Sequence, residues 1–245
     1  MALFKYAAPA SFYPLAGMLV PWFATIAFLL CVIGLYLGLF VAPEDFQQGE
    51  VYRIIFIHVP TAWMAMFIYL VMAGYAILSL VYQTKLSAMM IEALAPTGAM
   101  FTALALLTGA LWGKPTWGTY WAWDARMTST LILLFLYVGY IALMNAIEDK
   151  KRADKAGALL VLVGSVNVPI IYFSVKWWNT LHQGASISVS GGSKMASIML
   201  WSMLIMALAC WAYAIAVALC RVRAIILERE KNAAWVDNIK EAKDG

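Results

Sequence analysis

Residues 21–42 read PWFATIAFLLCVIGLYLGLFVA, a run of 22 residues without a charge. A helix rises about 1.5 Å per residue, so such a run spans the roughly 30 Å hydrocarbon core of a bilayer. The apolar core of a secretory signal is shorter, about 7–15 residues. The run therefore reads as a retained transmembrane helix. In lipid its backbone N–H and C=O groups find no water, and a helix satisfies them internally.

The rest of the chain repeats this pattern. Of its 245 residues, 64% are hydrophobic and 12% charged, with a mean hydropathy of +0.80. Soluble domains are about 45–50% apolar and about 25% charged. A globule of the present composition would expose large apolar patches to water. This excludes a soluble enzyme, a disordered chain and a disulfide-stapled secreted domain. Five more apolar runs, at 54–82, 88–112, 127–147, 156–175 and 196–219, predict further spans. The expected fold is all-α: a polytopic integral membrane protein with a bundle of six transmembrane helices, one domain over 1–245. Pro60 fits near a helix N-terminus. Pro96 and Pro169 fall inside apolar runs and are expected to kink the third and fifth helices. Gly34 and Gly38 have the spacing of a close-packing face.

The net charge of +4 resolves into topology. If both termini share a side, that side holds 12 of the 17 Lys and Arg residues, concentrated in the loop EDKKRADK (148–155) and the tail 221–245. The positive-inside rule then makes both termini cytoplasmic. His58, the segment 112–126 and the loop 176–195 fall together on the outer face.

That face carries the chemistry. Residues 112–126 read WGKPTWGTYWAWDAR, so four of the eleven tryptophans lie within twelve residues. Gly113, Pro115 and Gly118 are expected to break any continuous helix there. An interfacial aromatic belt spreads its rings over many helix ends. A cluster in one loop instead offers indole faces for stacking on a flat apolar ligand. Trp177 and Trp178 open the second outer loop. Only two histidines occur, His58 and His182, and both lie on this face. Neutral imidazole is the commonest metal ligand and an axial ligand of haem iron. Two imidazoles, an aromatic shelf and the nearby cations Arg53, Lys114 and Arg126 suit a porphyrin with its carboxylates, which Arg grips bidentately. Asp124 is placed to cap a helix starting near Met127, or to orient a Trp N–H or Arg126.

Other sites are poorly supplied. Cys31, Cys210 and Cys220 lie in apolar runs without C-x-x-C spacing, and no C-x-x-C-H occurs. A small-solute permease places ionisable groups near the midplane, and none is convincing here, Glu92 lying near the inner end of helix three. A cytochrome b-like subunit buries histidine pairs inside helices, which two histidines on one side do not supply. A haem-free membrane subunit of a transporter complex stays open.

Three stretches together, YRIIFIHVP (52–60), WGKPTWGTYWAWDAR (112–126) and VKWWNTLHQG (175–184), resemble the tryptophan-rich CcmC/CcmF/CcsA family of haem-handling membrane proteins in cytochrome c maturation. Length and helix number are similar to its CcmC branch, and the likeness covers essentially the whole chain. The resemblance implies a multi-pass protein of the bacterial inner membrane that holds haem b on the periplasmic side and delivers it to the haem chaperone CcmE. It implies the ATP-binding cassette subunits CcmA and CcmB and the small membrane protein CcmD as partners. It implies His58 and His182 as axial ligands, Trp112, Trp117, Trp121, Trp123 and Asp124 as the signature platform, and Arg53 and Arg126 as propionate partners. Charge and position add Lys114. No catalytic constellation is evident, so a handling subunit is expected rather than an enzyme.

Overall fold

The computed structural model describes residues 3–182, 187–188, 192–193 and 195–238. Most of the polar stretch 184–194, with Lys194, and residues 239–245 of the expected cytoplasmic tail lie outside the described residues.

Among the described residues, six helical stretches are long and apolar enough to cross a membrane: Pro9–Val41, Glu50–Tyr82, Lys85–Trp117, Ala125–Ala146, Lys150–Trp177 and Ser197–Arg229. They contain α1 (Pro9–Tyr36), α2 (Ile55–Tyr82), α3 (Lys85–Trp117), α4 (Ala125–Ala146), α5 (Lys150–Gly164), α6 (Asn167–Trp177) and α7 (Ser197–Arg229). Between α6 and α7, Ile187–Ser188 and Gly192–Ser193 pair antiparallel. The architecture is the expected all-α membrane bundle.

Two boundaries differ from expectation and one expected kink appears, each for a local reason. The first helix begins at Pro9, twelve residues before Pro21. Its early turns have a partner: Tyr13 lies beneath the Arg223 guanidinium, 4.5 Å from ring centre to Cζ, and beside Trp235. The expected break at Gly113 and Pro115 does not occur, and α3 runs on to Trp117. A proline in the last turn removes one intrahelical bond, and the helix stops only at Gly118, where φ is +79° and the N–H bonds the Lys114 carbonyl. The fifth span divides into α5 and α6 around Ser165–Val166. Pro169 has no N–H for the Ser165 carbonyl and its ring crowds it, so the helix yields one turn upstream of the proline. By contrast α3 is continuous through Pro96.

Small residues set the packing. Gly34 and Gly38 form the expected close contact. A Cβ on Gly34 would meet Met206 at 2.7 Å, one on Gly38 would meet the Phe56 ring at 2.6 Å, and the Ser202 hydroxyl donates to the Gly34 carbonyl at 2.8 Å. The core between α2, α3, α4 and α5 is built around Tyr69 and Tyr137, both fully buried, with ring centres 5.0 Å apart edge to face. Tyr137 donates to the Ala65 carbonyl at 2.8 Å, and its ring fits only because Gly98 carries no side chain. At the end of the bundle where α1 begins and α7 ends, Arg229 of α7 pairs with Glu92 of α3 and with Asp154 of α5. Glu92 thus has a structural partner. The opposite end carries both histidines and the tryptophan-rich segment.

Candidate functional site

The site forms where α2, α3, α4 and the chain after α6 converge. His58 enters from the first turn of α2 and is 9% exposed. His182 arrives from the connection that follows α6. Their ring centres are 6.3 Å apart with planes inclined by 33°. Two imidazoles that coordinate one metal ion from opposite sides, each nitrogen about 2 Å from it, also have ring centres about 6 Å apart. The separation is therefore compatible with one iron between them.

The aromatic residues fall into two groups. Trp112 meets His58 edge to face at 5.6 Å, and Trp117 lies 6.1 Å from His182. Trp112 is itself fixed: its indole N–H donates to Gln48 at 2.7 Å, and Tyr52 abuts its ring. Because α3 is unbroken here, Gly109, Trp112 and Thr116 share a helical stripe facing the histidines. Trp121 and Trp123 pack against each other edge to face at 5.3 Å, outside the cavity wall. Trp123 is 78% exposed, whereas the Trp121 indole N–H is buried with no partner among the described residues.

Beneath the histidines a cavity, open at one side, extends down between the helices. Its upper wall carries His58, His182, Trp112, Trp117 and Arg126. Its lower wall is apolar, with Ala62, Ala65, Ala105 and Met66. Apolar pockets with a few convergent polar groups are the usual sites for a cofactor-sized ligand. A porphyrin fits this donor set: apolar walls for its macrocycle, two imidazoles for its iron, and a cation for its carboxylates.

The charged residues take different positions. Arg126 lines the cavity, bonding Ser174 Oγ at 3.2 Å and the Tyr172 carbonyl at 3.4 Å. These are long bonds to neutral groups; Asp124 is a nearby opposite charge, with no ion pair to Arg126 among the described residues. Arg53 lies off the cavity wall. It donates to the Gly38 and Ala42 carbonyls, both at 2.8 Å, and pairs with Glu50, closing the end of the first span. Lys114 donates to the Gly118 carbonyl at 3.1 Å and rests over Tyr120, at the C-terminus of α3. Asp124 caps α4, accepting from the Met127 N–H at 2.8 Å. Its second oxygen accepts from the Leu181 N–H at 3.3 Å.

The sequence reading missed several residues that shape this site. Gly109 is one: a Cβ there would lie 2.9 Å from His58 Cε1. Its place three residues before Trp112 on a helix was the available signal. Thr108, which bonds His58, and Gln48, which bonds Trp112, carry no sequence signal of their own.

Known proteins are similar to this chain over most of its length. The family model described as "Heme exporter protein C" matches residues 2–237. The Heme exporter protein C of Escherichia coli (strain K12) is 45% identical over 238 residues, 97% of this chain and 96% of that protein. That of Bradyrhizobium diazoefficiens is 48% identical over 229 residues, covering 94% and 87%. A ccmC-like mitochondrial protein of Marchantia polymorpha, named for cytochrome c biosynthesis, is 45% identical over 186 residues, 76% of each chain.

Proposed function

From the premise that this chain belongs to the heme exporter protein C family of cytochrome c maturation, we propose that it binds haem b on the periplasmic side of the bacterial inner membrane and presents it to the haem chaperone CcmE. It is a haem-handling membrane subunit rather than a catalyst. The facing of His58 and His182 over an apolar cavity carries the reading.

In this reading the two imidazoles hold the iron from opposite faces and shield it from oxygen chemistry. Trp112 and Trp117 lie against the two histidines and restrain their rings. The alanine-lined lower wall receives the apolar macrocycle edge. Arg126 receives a propionate, because it is the cation on the cavity wall. Arg53 joins it only by leaving Glu50, whose side chain is 60% exposed and easily released to water. Asp124 and Lys114 shape the backbone of the platform. The rim formed by Trp121, Trp123 and Tyr120 meets the chaperone, while CcmA, CcmB and CcmD contact the rest of the bundle. Both termini are cytoplasmic under the basic-residue bias.

Haem titration of the purified protein tests the site. A Soret band is expected in the wild-type protein and should be lost or shifted in the variant carrying His58→Ala and His182→Ala. An unchanged spectrum in that variant removes the axial assignment. A wild-type protein that takes up no haem is instead a haem-free transporter subunit.

A further inference from the structure

His58 Nδ1 and Thr108 Oγ1 are 3.0 Å apart. The direction of this bond follows from what else the hydroxyl does. Thr108 Oγ1 lies 2.6 Å from the Leu104 carbonyl, one turn back on α3, and 3.3 Å from the Ala105 carbonyl. A carbonyl only accepts, so the single hydroxyl proton points to Leu104. The oxygen then has only lone pairs for the imidazole, which must supply its own proton. A neutral imidazole carries one N–H, and which nitrogen bears it is set by the hydrogen bond that nitrogen makes.

We propose that Thr108 is a positioning residue that holds His58 as the Nδ1–H tautomer, leaving the Nε2 lone pair as the metal-ligating atom on the cavity wall. The inference rests on the haem-binding reading for its purpose, though not for its geometry. It gives the first-turn histidine of α2 the outer partner that metal-bound histidines almost always have, one that fixes both ring orientation and tautomer. The threonine is well supported for this. Its bond to Leu104 is intrahelical, so it does not swing. Gly109, next along α3, leaves the ring free to approach: a Cβ there would stand 2.9 Å from Cε1 and 3.8 Å from Nε2. The Ala105 carbonyl, also near the ring, is a second acceptor, so removing Thr108 weakens the preference without abolishing it.

The test separates tautomer from haem. Protein carrying His182→Ala has one histidine, and nitrogen-15 labelling of histidine then reports His58 alone. Measured without haem, at a pH where imidazole is neutral, it should show Nδ1 protonated and Nε2 bare. Thr108→Val, nearly isosteric, should move the population toward Nε2–H, and Thr108→Ser should restore it. With His182 present, Thr108→Val should bind haem about tenfold more weakly, the low end for loss of an outer partner. Thr108→Ser should bind as wild type. An Nε2–H tautomer in the threonine protein, or one unmoved by Thr108→Val, overturns the proposal. If the threonine protein shows the Nδ1–H tautomer yet binds no haem, the haem reading fails and the tautomer assignment stands.

Discussion

Asp124 and Leu181 are joined across the site: a carboxylate oxygen at the start of α4 accepts the Leu181 N–H at 3.3 Å, while its other oxygen caps α4 at 2.8 Å. Leu181 is the residue before His182. Asp124 therefore connects the tryptophan-rich segment to the chain that delivers the second histidine, and its two oxygens have separable jobs.

Asp124→Asn should split them. Asparagine caps a helix about as well as aspartate, so the melting temperature in detergent should change little. Its single carbonyl oxygen serves the cap, and its NH₂ cannot accept from Leu181. His182 then loses its tether. Haem titration should show several-fold weaker binding, with part of the low-spin spectrum replaced by high-spin. Full retention of the wild-type spectrum would show that Leu181 needs no tether. Asp124→Ala should add the cost of the cap, about 1 kcal/mol.

Gly109→Ala should move stability and binding in opposite directions. On α3, alanine is favoured over glycine by about 1 kcal/mol. The added methyl stands 2.9 Å from His58 Cε1, so the ring must turn away. The variant should melt no lower than wild type, yet bind haem at least about tenfold more weakly, as expected when a ligand's orientation is disturbed. A variant that melts higher and binds normally would mean the ring can shift without loss.

How much of this could be read from the chain depends on what each feature requires. The six spans were legible because a bilayer imposes a length and an apolar content that few residues can disguise. The helix cap at Asp124 was legible because capping is local, within three residues. The helix across residues 113–117 was not, because Gly113 and Pro115 are weighed singly as breakers, whereas a proline in a last turn costs only one bond. Arg53 shows the other limit. Its charge was visible, but its acceptors are backbone carbonyls at Gly38 and Ala42, which no side-chain pattern reveals. Thr108 and Gly109 look like ordinary helix residues until α2 is laid beside α3.

The sidedness of the bundle has a direct chemical readout. In a background without Cys31, Cys210 and Cys220, Trp178→Cys should react with a membrane-impermeant maleimide added to intact cells whose outer membrane is permeabilised, since Trp178 is 51% exposed at the histidine end. Lys151→Cys, in the basic first turn of α5, should react only after lysis. The reverse pattern places the haem site in the cytoplasm and overturns the topology.

Arg229 binds three helices at the far end of the bundle and should affect folding without touching the site. It pairs with Glu92 and Asp154, whose side chains are 28% and 20% exposed. Arg229→Met removes the cation and leaves two carboxylates facing each other in a partly dry setting. Breaking a fully buried pair costs about 3–5 kcal/mol, and partial exposure lowers this to about 2 kcal/mol. The melting temperature should fall by several degrees. Glu92 lies twenty residues before Trp112 on α3, about 30 Å at helical rise. The haem spectrum and affinity of folded Arg229→Met protein should therefore match wild type. Adding Glu92→Gln should recover part of the loss, because it removes the repulsion that the first change exposes. If the single variant melts as wild type, the cluster is not what joins α3, α5 and α7. If its spectrum changes while its fold is intact, the two ends of the bundle are coupled through α3.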